Sequence, residues 1–203
     1  MSAPAPRIAP GGRREIGLLN TVVVRIAGAV IGGDVPNVFT TLARHPGLFR
    51  RWLVFAGGLM PGGKLPREET ELAILRVARN TGSAYEWDHH ERIGRSVGLT
   101  IAEIERVRSE ERPGPAWSGR KALVLRAADE LHADGAIGDA LWAELAAAFD
   151  ERELIELCLL VGHYEMLAMT LNTLRVQLDP PPPRGRSGLR GRLRLLAGRG
   201  SPR

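Results

Sequence analysis

The sequence predicts an all-α fold, and three observations carry that expectation. Ala, Leu and Arg abound in a chain that is 44% hydrophobic and only 5% aromatic, a mixture that favours helices over sheets. Apolar residues recur three and four positions apart, and no stretch alternates as a half-buried strand does. Helix starts and stops also recur, with Pro66, Ser83, Thr100 and Ser118 at starts and Gly82 and Gly98 at ends. A length of 203 residues suits one domain with tails.

Taken in order, residues 1–14 are rich in Pro, Gly and Arg and are expected to be a disordered arm. "LLNTVVVRIAGAVIGG" (Leu18–Gly33) reads as a buried helix, too short and too interrupted by Arg25 to span a bilayer. Val38–Arg44 and Pro46–Ala56 read as short helices broken at His45-Pro46, and "GGLMPGGKLP" as a loop. Pro66 suits the first turn of a helix that carries Glu68, Glu69 and Glu71 near its positive end and reaches about Asn80. A second helix runs from Ser83 to Gly98, and Thr100 with Glu103 forms a capping box for a third. After the loop "EERPGPAW", helices are expected from Ser118 to Ala133, Gly138 to Ala148 and Glu151 to Gln177. That makes seven or eight helices over a domain at 15–179. Four prolines then open a low-complexity tail, residues 180–203, expected to be disordered.

Charge and cysteine usage exclude several classes. The net charge of +5 comes from the tail: its seven Arg removed, 21 basic residues face 23 acidic ones. The domain therefore has no basic surface of its own, and no nucleic acid is expected as a partner. Cys158 is the only cysteine, which rules out an intrachain disulfide and a cysteine-based zinc site; a small, buried, hydrophobe-like role is expected for it. A reduced, cytoplasmic setting follows, and the N-terminus lacks the apolar core of a signal peptide. No metal and no cofactor are expected: Glu86 and His90 are spaced like two ligands, but nothing completes a set, and there is no P-loop, GxGxxG or nucleophile elbow.

The stretch "ETELAILRVARNTGSAYEWDHHERIG" sets polar groups inside two apolar helices. Helical spacing places Ser83, Glu86 and His90 along the inward seam of one helix and Glu71 on the face of the preceding one that also holds Leu75 and Ala78. The tight turn at Thr81-Gly82 makes the helices antiparallel neighbours, so Glu71 and His90 are in position to converge. A buried carboxylate must be paired or protonated, and an imidazole beside carboxylates keeps a chosen tautomer. The arrangement outlines a proton-transfer site; the alternative is a hydrogen-bond network that only staples two helices. His89, one position off the seam, reads as a surface residue, as do Asp129 and His132. His163 and Tyr164 interrupt the last apolar helix, either as satisfied core residues or as lining of the same site. Thr170 and Asn172 are expected to bond backbone or a neighbouring subunit.

"LPREETELAILRVARNTGSAYEWDHHERIGRSVGLTIAEIERV", continued by "ALVLRAADELHADGAIGDALWAELAAAFDERELIELCLLVGHYEMLAMTLNTLRVQLD", resembles the carboxymuconolactone decarboxylase family, related to alkyl hydroperoxidase D. The resemblance covers about Pro36 to Asp179. It implies a compact helical bundle of the alkyl hydroperoxidase D type and a homo-oligomer, a trimer or hexamer. The redox branch of that family carries a Glu, a Cys twelve residues on, a second Cys three further and a His four further. Laid on Glu71, these positions are Ser83, Glu86 and His90, so Glu and His match and both cysteines are absent. A thiol peroxidase cycle has no nucleophile there.

The expectation is a cofactor-free lyase or isomerase acting on a small lactone, carbonyl or carboxylic acid, with His90, Glu71 and Glu86 moving protons and Ser83, Tyr85 and His163 contacting substrate. The alternative is a non-catalytic oligomeric protein that binds a small ligand, and a hydroperoxidase D-type peroxidase ranks below both. An ionised Glu86 would repel a substrate carboxylate. Either Glu86 is protonated or the substrate is not an acid.

Overall fold

A computed structural model describes residues 4–30 and 35–180. Among them are nine helices and no strand: α1 (Arg13–Val30), α2 (Asn37–Leu42), α3 (Pro46–Leu59), α4 (Arg67–Asn80), α5 (Ala84–Val97), α6 (Ile101–Ser109), α7 (Gly119–Asp134), α8 (Asp139–Ala148) and α9 (Glu151–Leu174). The chain forms two compact units, residues 1–53 with 175–203, and residues 54–174.

In the first unit, Ile16, Val24, Ala43 and Phe49 form the core, with the Phe39, Phe49 and Trp52 rings 6.0–6.2 Å apart. Residues 4–12 carry no helix, yet they are tied down. The Gly11 N–H donates to the Thr40 carbonyl (3.1 Å), Arg44 to the Ala9 carbonyl (2.8 Å), and the Gln177 amide to the Pro4 carbonyl (3.2 Å). Helix α1 starts at Arg13, inside the expected arm, and breaks at Gly17, whose φ of 79° leaves the helical region. It is not the buried helix the composition suggests. Asn20 and Val24 face inward, but Leu18, Leu19, Val22 and Ile26 are exposed. A uniformly apolar sequence hides which side faces the core. Residues 31–34, the end of that expected helix, and the tail from residue 181 lie outside the described residues.

The second unit is built round α4, which is buried without interruption from Glu69 to Ala78. It packs against α5, α6, α7 and α9. Leu72 and Leu75 meet Leu99, Ile104, Val107, Trp117 and Leu125 in one apolar cluster. The turn into α5 needs a left-handed residue, supplied by Gly82 at φ 63°. Thr100 and Glu103 form the expected capping box at the start of α6. Helix α9 stops at Leu174 rather than Gln177 because Arg175 adopts φ 55°, which no helix can continue. By length and composition alone α9 could cross a bilayer; 56% of its most apolar window is buried, as in a core helix.

A helix enclosed on all sides cannot leave its charges unpaired. Arg76, 1% exposed, bonds Asp129 on α7 through Nε (2.5 Å) and Nη2 (2.8 Å) and donates to the carbonyls of Glu110 and Glu111. Asn80 donates to the same Asp129 (2.8 Å). Asp129, expected at the surface, is thus the partner of a buried cation. Glu69 pairs with Arg120, which also binds Glu153. From α9, the Glu156 carboxylate accepts the backbone N–H groups of Lys64 (2.5 Å) and Leu65 (3.2 Å), fixing the loop before α4. A Cβ at Gly63 would lie 2.6 Å from the Leu59 carbonyl oxygen and press on the Glu156 carboxylate, so only glycine fits.

The remaining expectations divide. Cys158 is intermediate in exposure rather than buried, because its position on α9 lies at the edge of the inward face, and partial burial raises its thiol pKa. Thr170 bonds the Met166 carbonyl (2.9 Å) and Asn172 the Thr81 carbonyl (3.1 Å), both backbone groups.

Removing Asp129 leaves the Arg76 guanidinium buried without its counter-ion. Asp129→Ala is expected to destabilise the fold by about 3 kcal/mol, the usual cost of breaking such a pair. A urea denaturation midpoint unchanged from wild type would contradict that.

Candidate functional site

The site grows from the first two turns of α5 and the facing turns of α4 and α9. Ser83, the N-cap of α5, is 1% exposed, Glu86 2%, His90 4% and Glu71 of α4 0%. The seam read from the spacing therefore lies inside the protein. His90 Nδ1 is 2.7 Å from Glu71 Oε2. The other Glu71 oxygen accepts from Arg67 Nη2 at 2.9 Å, one turn earlier on α4. Both Glu71 oxygens are engaged, one towards Arg67 and one towards His90.

Ser83 and Glu86 differ from that pair. The Ser83 hydroxyl and both Glu86 oxygens are buried with no hydrogen bond of good geometry. Burial pushes the Glu86 carboxyl up to about 8; the nearby Ser83 hydroxyl moderates the rise and the Glu165 charge adds to it. The Ser83 hydroxyl is near the Glu86 carboxyl but poorly aligned with it, so Glu86 keeps free hydrogen-bonding capacity. At neutral pH Glu86 is a carboxylic acid, both a donor and an acceptor.

A row of rings continues from this centre. Tyr85, 7% exposed, stacks on His89 (6.4 Å between centroids, 10° between planes). His89 meets His90 edge-on (5.5 Å), His90 meets Tyr164 (5.1 Å), Tyr164 meets His163 (5.1 Å), and His163 meets Phe55 (5.4 Å). Burial holds His89 down at about 3, helped by His90 and Arg92, and His163 at about 4, helped by His90, so both are neutral imidazoles. Burial raises the Tyr164 hydroxyl well above its ordinary value; Glu71 and Glu86 raise it further and Arg67 opposes them.

Each sequence-derived site residue is therefore buried in the second unit. His90, Glu71, Glu86 and Ser83 lie on the α4–α5 seam, Tyr85 joins through His89, and His163 through Tyr164. His89 is not the surface residue its position suggests: it is half-buried, with Nδ1 enclosed, because the Tyr85 ring covers it. His132 is exposed, as expected, and pairs with Glu165 (2.8 Å). Spacing gave no notice of Arg67, whereas Tyr164 stands beside His163 as one of the two readings of that pair allowed. An i, i+4 Arg–Glu pattern at a helix start was the available signal for Arg67. No group of three or more His, Cys, Asp or Glu residues among the described ones could hold a metal ion.

This helical architecture defines the class of fold: it is all-α and alkyl hydroperoxidase D-like. Residues 46–130, which include Glu71, Ser83, Glu86 and His90, match the model of the carboxymuconolactone decarboxylase family. Solved structures share the fold at low identity. An uncharacterized peroxidase-related protein from Silicibacter sp. TM1040 aligns with TM-score 0.74 and 17% identity over 88% of this chain and 95% of its own. The alkylhydroperoxidase AhpD core of an uncharacterized peroxidase-related protein from Ralstonia eutropha JMP134 gives 0.69 and 21% over 88% and 94%. The debrominase Bmp8 gives 0.71 and 16% over 85% and 91%. No curated protein sequence matches the chain.

The raised Glu86 pKa has a thermodynamic consequence. The unfolded carboxyl ionises near its ordinary value of 4.5, whereas the folded one holds its proton to about 8. The native state binds more protons between those limits, so this group's stability contribution is complete below about pH 4.5 and is lost as pH rises through 8, by at most about 1.4 kcal/mol per pH unit. Glu86→Gln is expected to gain stability relative to wild type as urea melts are moved from pH 5 to pH 8. A constant difference between the two proteins would refute a protonated Glu86.

Proposed function

We propose that the chain is a cofactor-free proton-transfer enzyme, a lyase or isomerase of small carbonyl compounds, lactones or carboxylic acids. The observation that carries this reading is the contrast within the polar seam. A purely structural staple would be satisfied throughout, as the Glu71–His90 pair is, yet Ser83 and Glu86 are buried with hydrogen-bonding capacity left over. Such groups cost stability unless something else uses them.

In this reading His90 is the base and Glu86, which keeps its proton at neutral pH, is the acid. His90 takes a proton from the carbon beside a carbonyl, and the C–H electron pair moves into the carbonyl, leaving an enolate. The Glu86 O–H and the Ser83 hydroxyl donate to the enolate oxygen. Return of the proton to a different carbon completes an isomerisation. In a decarboxylation the C–C pair of the departing carboxylate takes the same path, CO₂ leaves, and Glu86 or a protonated His90 delivers the proton to carbon. Glu71 is a positioning residue, since neither of its oxygens is free for substrate. A neutral Glu86 removes the repulsion that would bar a carboxylate, so acids and neutral carbonyls both fit. Ser83 and Glu86 stand where the redox branch carries cysteines, which speaks against a thiol peroxidase.

The test is exchange of α-protons for deuterium from D₂O across a panel of γ-lactones and β-keto acids, followed by NMR. His90→Gln is expected to slow exchange roughly a hundredfold or more while circular dichroism is unchanged. Undiminished exchange in that variant removes His90 from the chemistry. Saturable binding without exchange in the wild type would favour the non-catalytic ligand binder.

The chain is further proposed to pair with a second copy through α9. Ile155, Leu159, Met166 and Met169 are exposed on one face of that helix, arranged on either side of Gly162, where an added Cβ would meet nothing. Their spacing is nearly symmetric about Gly162, so a two-fold axis there would set each apolar side chain against a counterpart. Light scattering should report an oligomer for the full chain and a smaller species for Leu159→Glu. A wild-type monomer at micromolar concentration ends this proposal.

A further inference from the structure

The Arg67 guanidinium fixes which nitrogen of His90 carries the proton; we propose that Arg67 is thereby a positioning residue for the base. This inference rests on the proton-transfer reading of the same site. Three groups stand in line: Arg67 Nη2 is 2.9 Å from Glu71 Oε1, and Glu71 Oε2 is 2.7 Å from His90 Nδ1. The Arg67 side chain is 35% exposed and the Glu71 carboxyl 0%, so the cation forms the open end of a line that runs inward to the imidazole.

One proton must lie between Glu71 Oε2 and His90 Nδ1 for that contact to be a hydrogen bond. It has two possible homes. With Arg67 in place, Glu71 already faces a permanent cation at hydrogen-bond distance, a partner that stabilises the carboxylate form. The proton then belongs to Nδ1, the Nδ1–H donates to Glu71, and Nε2 keeps its lone pair for abstracting a proton from substrate. Without Arg67, an enclosed carboxylate would have no other cation among the described residues at bonding distance, since its two contacts are Arg67 and His90 alone. Burial then favours the neutral acid. Glu71 would hold the proton and donate to Nδ1, and the neutral imidazole would carry its hydrogen on Nε2. That tautomer has no lone pair facing substrate and cannot act as a base.

A merely structural ion pair would show itself in stability alone. The proposed role shows itself in the tautomer, which a nitrogen spectrum reads directly. Full-chain protein labelled with ¹⁵N-histidine gives long-range ¹H–¹⁵N correlations that separate protonated from unprotonated ring nitrogens, with His90 assigned by its loss in His90→Gln. In the wild type at pH 7, Nδ1 is expected to be protonated and Nε2 not. Arg67→Gln should reverse or mix the two, and Arg67→Lys, which keeps the charge, should restore the wild-type pattern. In the exchange assay Arg67→Gln should lower kcat about tenfold or more with KM nearly unchanged, and Arg67→Lys should recover most of it.

A wild-type His90 with its hydrogen on Nε2 overturns the proposal, as does an Arg67→Gln spectrum identical to wild type. If Arg67→Gln fails to fold, Arg67→Lys still decides: a folded lysine variant with the reversed tautomer shows that the charge is not the agent. A tautomer that follows Arg67 in a protein without exchange activity defeats the proposed function alone. Exchange activity with a tautomer indifferent to Arg67 defeats only this inference.

Discussion

Enclosure of α4 on every side is the constraint from which the second unit follows. Ten consecutive residues, Glu69 to Ala78, are out of water, and three of them are charged: Glu69, Glu71 and Arg76. Each has its answer on another element or turn. Arg120 on α7 meets Glu69, Asp129 on α7 meets Arg76, and Arg67 with His90 meets Glu71. These contacts fix the rotation of α5 and α7 about the central helix, because a quarter-turn of either would strand a charge in apolar surroundings. Hydrophobic contacts with Leu72 and Leu75 supply adhesion, whereas the ionic contacts supply register.

The same enclosure separates two kinds of polar group. Glu71 and His90 are satisfied by each other and by Arg67, and their relation resembles a mechanical mounting. Ser83 and Glu86, one turn away at the start of α5, are desolvated and make no well-aligned hydrogen bond. The protein keeps a carboxyl in a place that suppresses its ionisation, close enough to Tyr164 to help raise that hydroxyl's pKa, while burial keeps His89 and His163 neutral. A protonated Glu86 offers an O–H as a hydrogen-bond donor, which is what the proposed enolate oxygen would require.

Much of this was legible in the sequence, and the unread part has a common cause. Helix ends governed by local chemistry came through: the Thr100–Glu103 cap, the Gly82 turn, and the start of α4 after Pro66. The Glu71–His90 contact was legible because a tight turn makes two helices neighbours and periodicity then sets the faces. Contacts made across long stretches of chain were not. Asp129 is 53 residues from Arg76, and nothing near either announces the other. The burial of His89 depends on the Tyr85 ring lying over it, a rotamer choice that spacing does not encode. In α1, apolar residues on both faces gave no way to tell the inner side from the outer.

Glu156 ties a backbone loop to α9 by accepting the N–H groups of Lys64 and Leu65, and Gly63 leaves that carboxylate no room to spare. The segment ends two residues before Arg67. An insertion or deletion between Leu59 and Pro66 would have to break the tether or drag the first turn of α4 along its axis. Either change moves the guanidinium away from the carboxyl it meets one turn on. The length of an ordinary-looking connector is thereby locked to the geometry of the imidazole, and natural length variation among relatives should fall elsewhere in the chain.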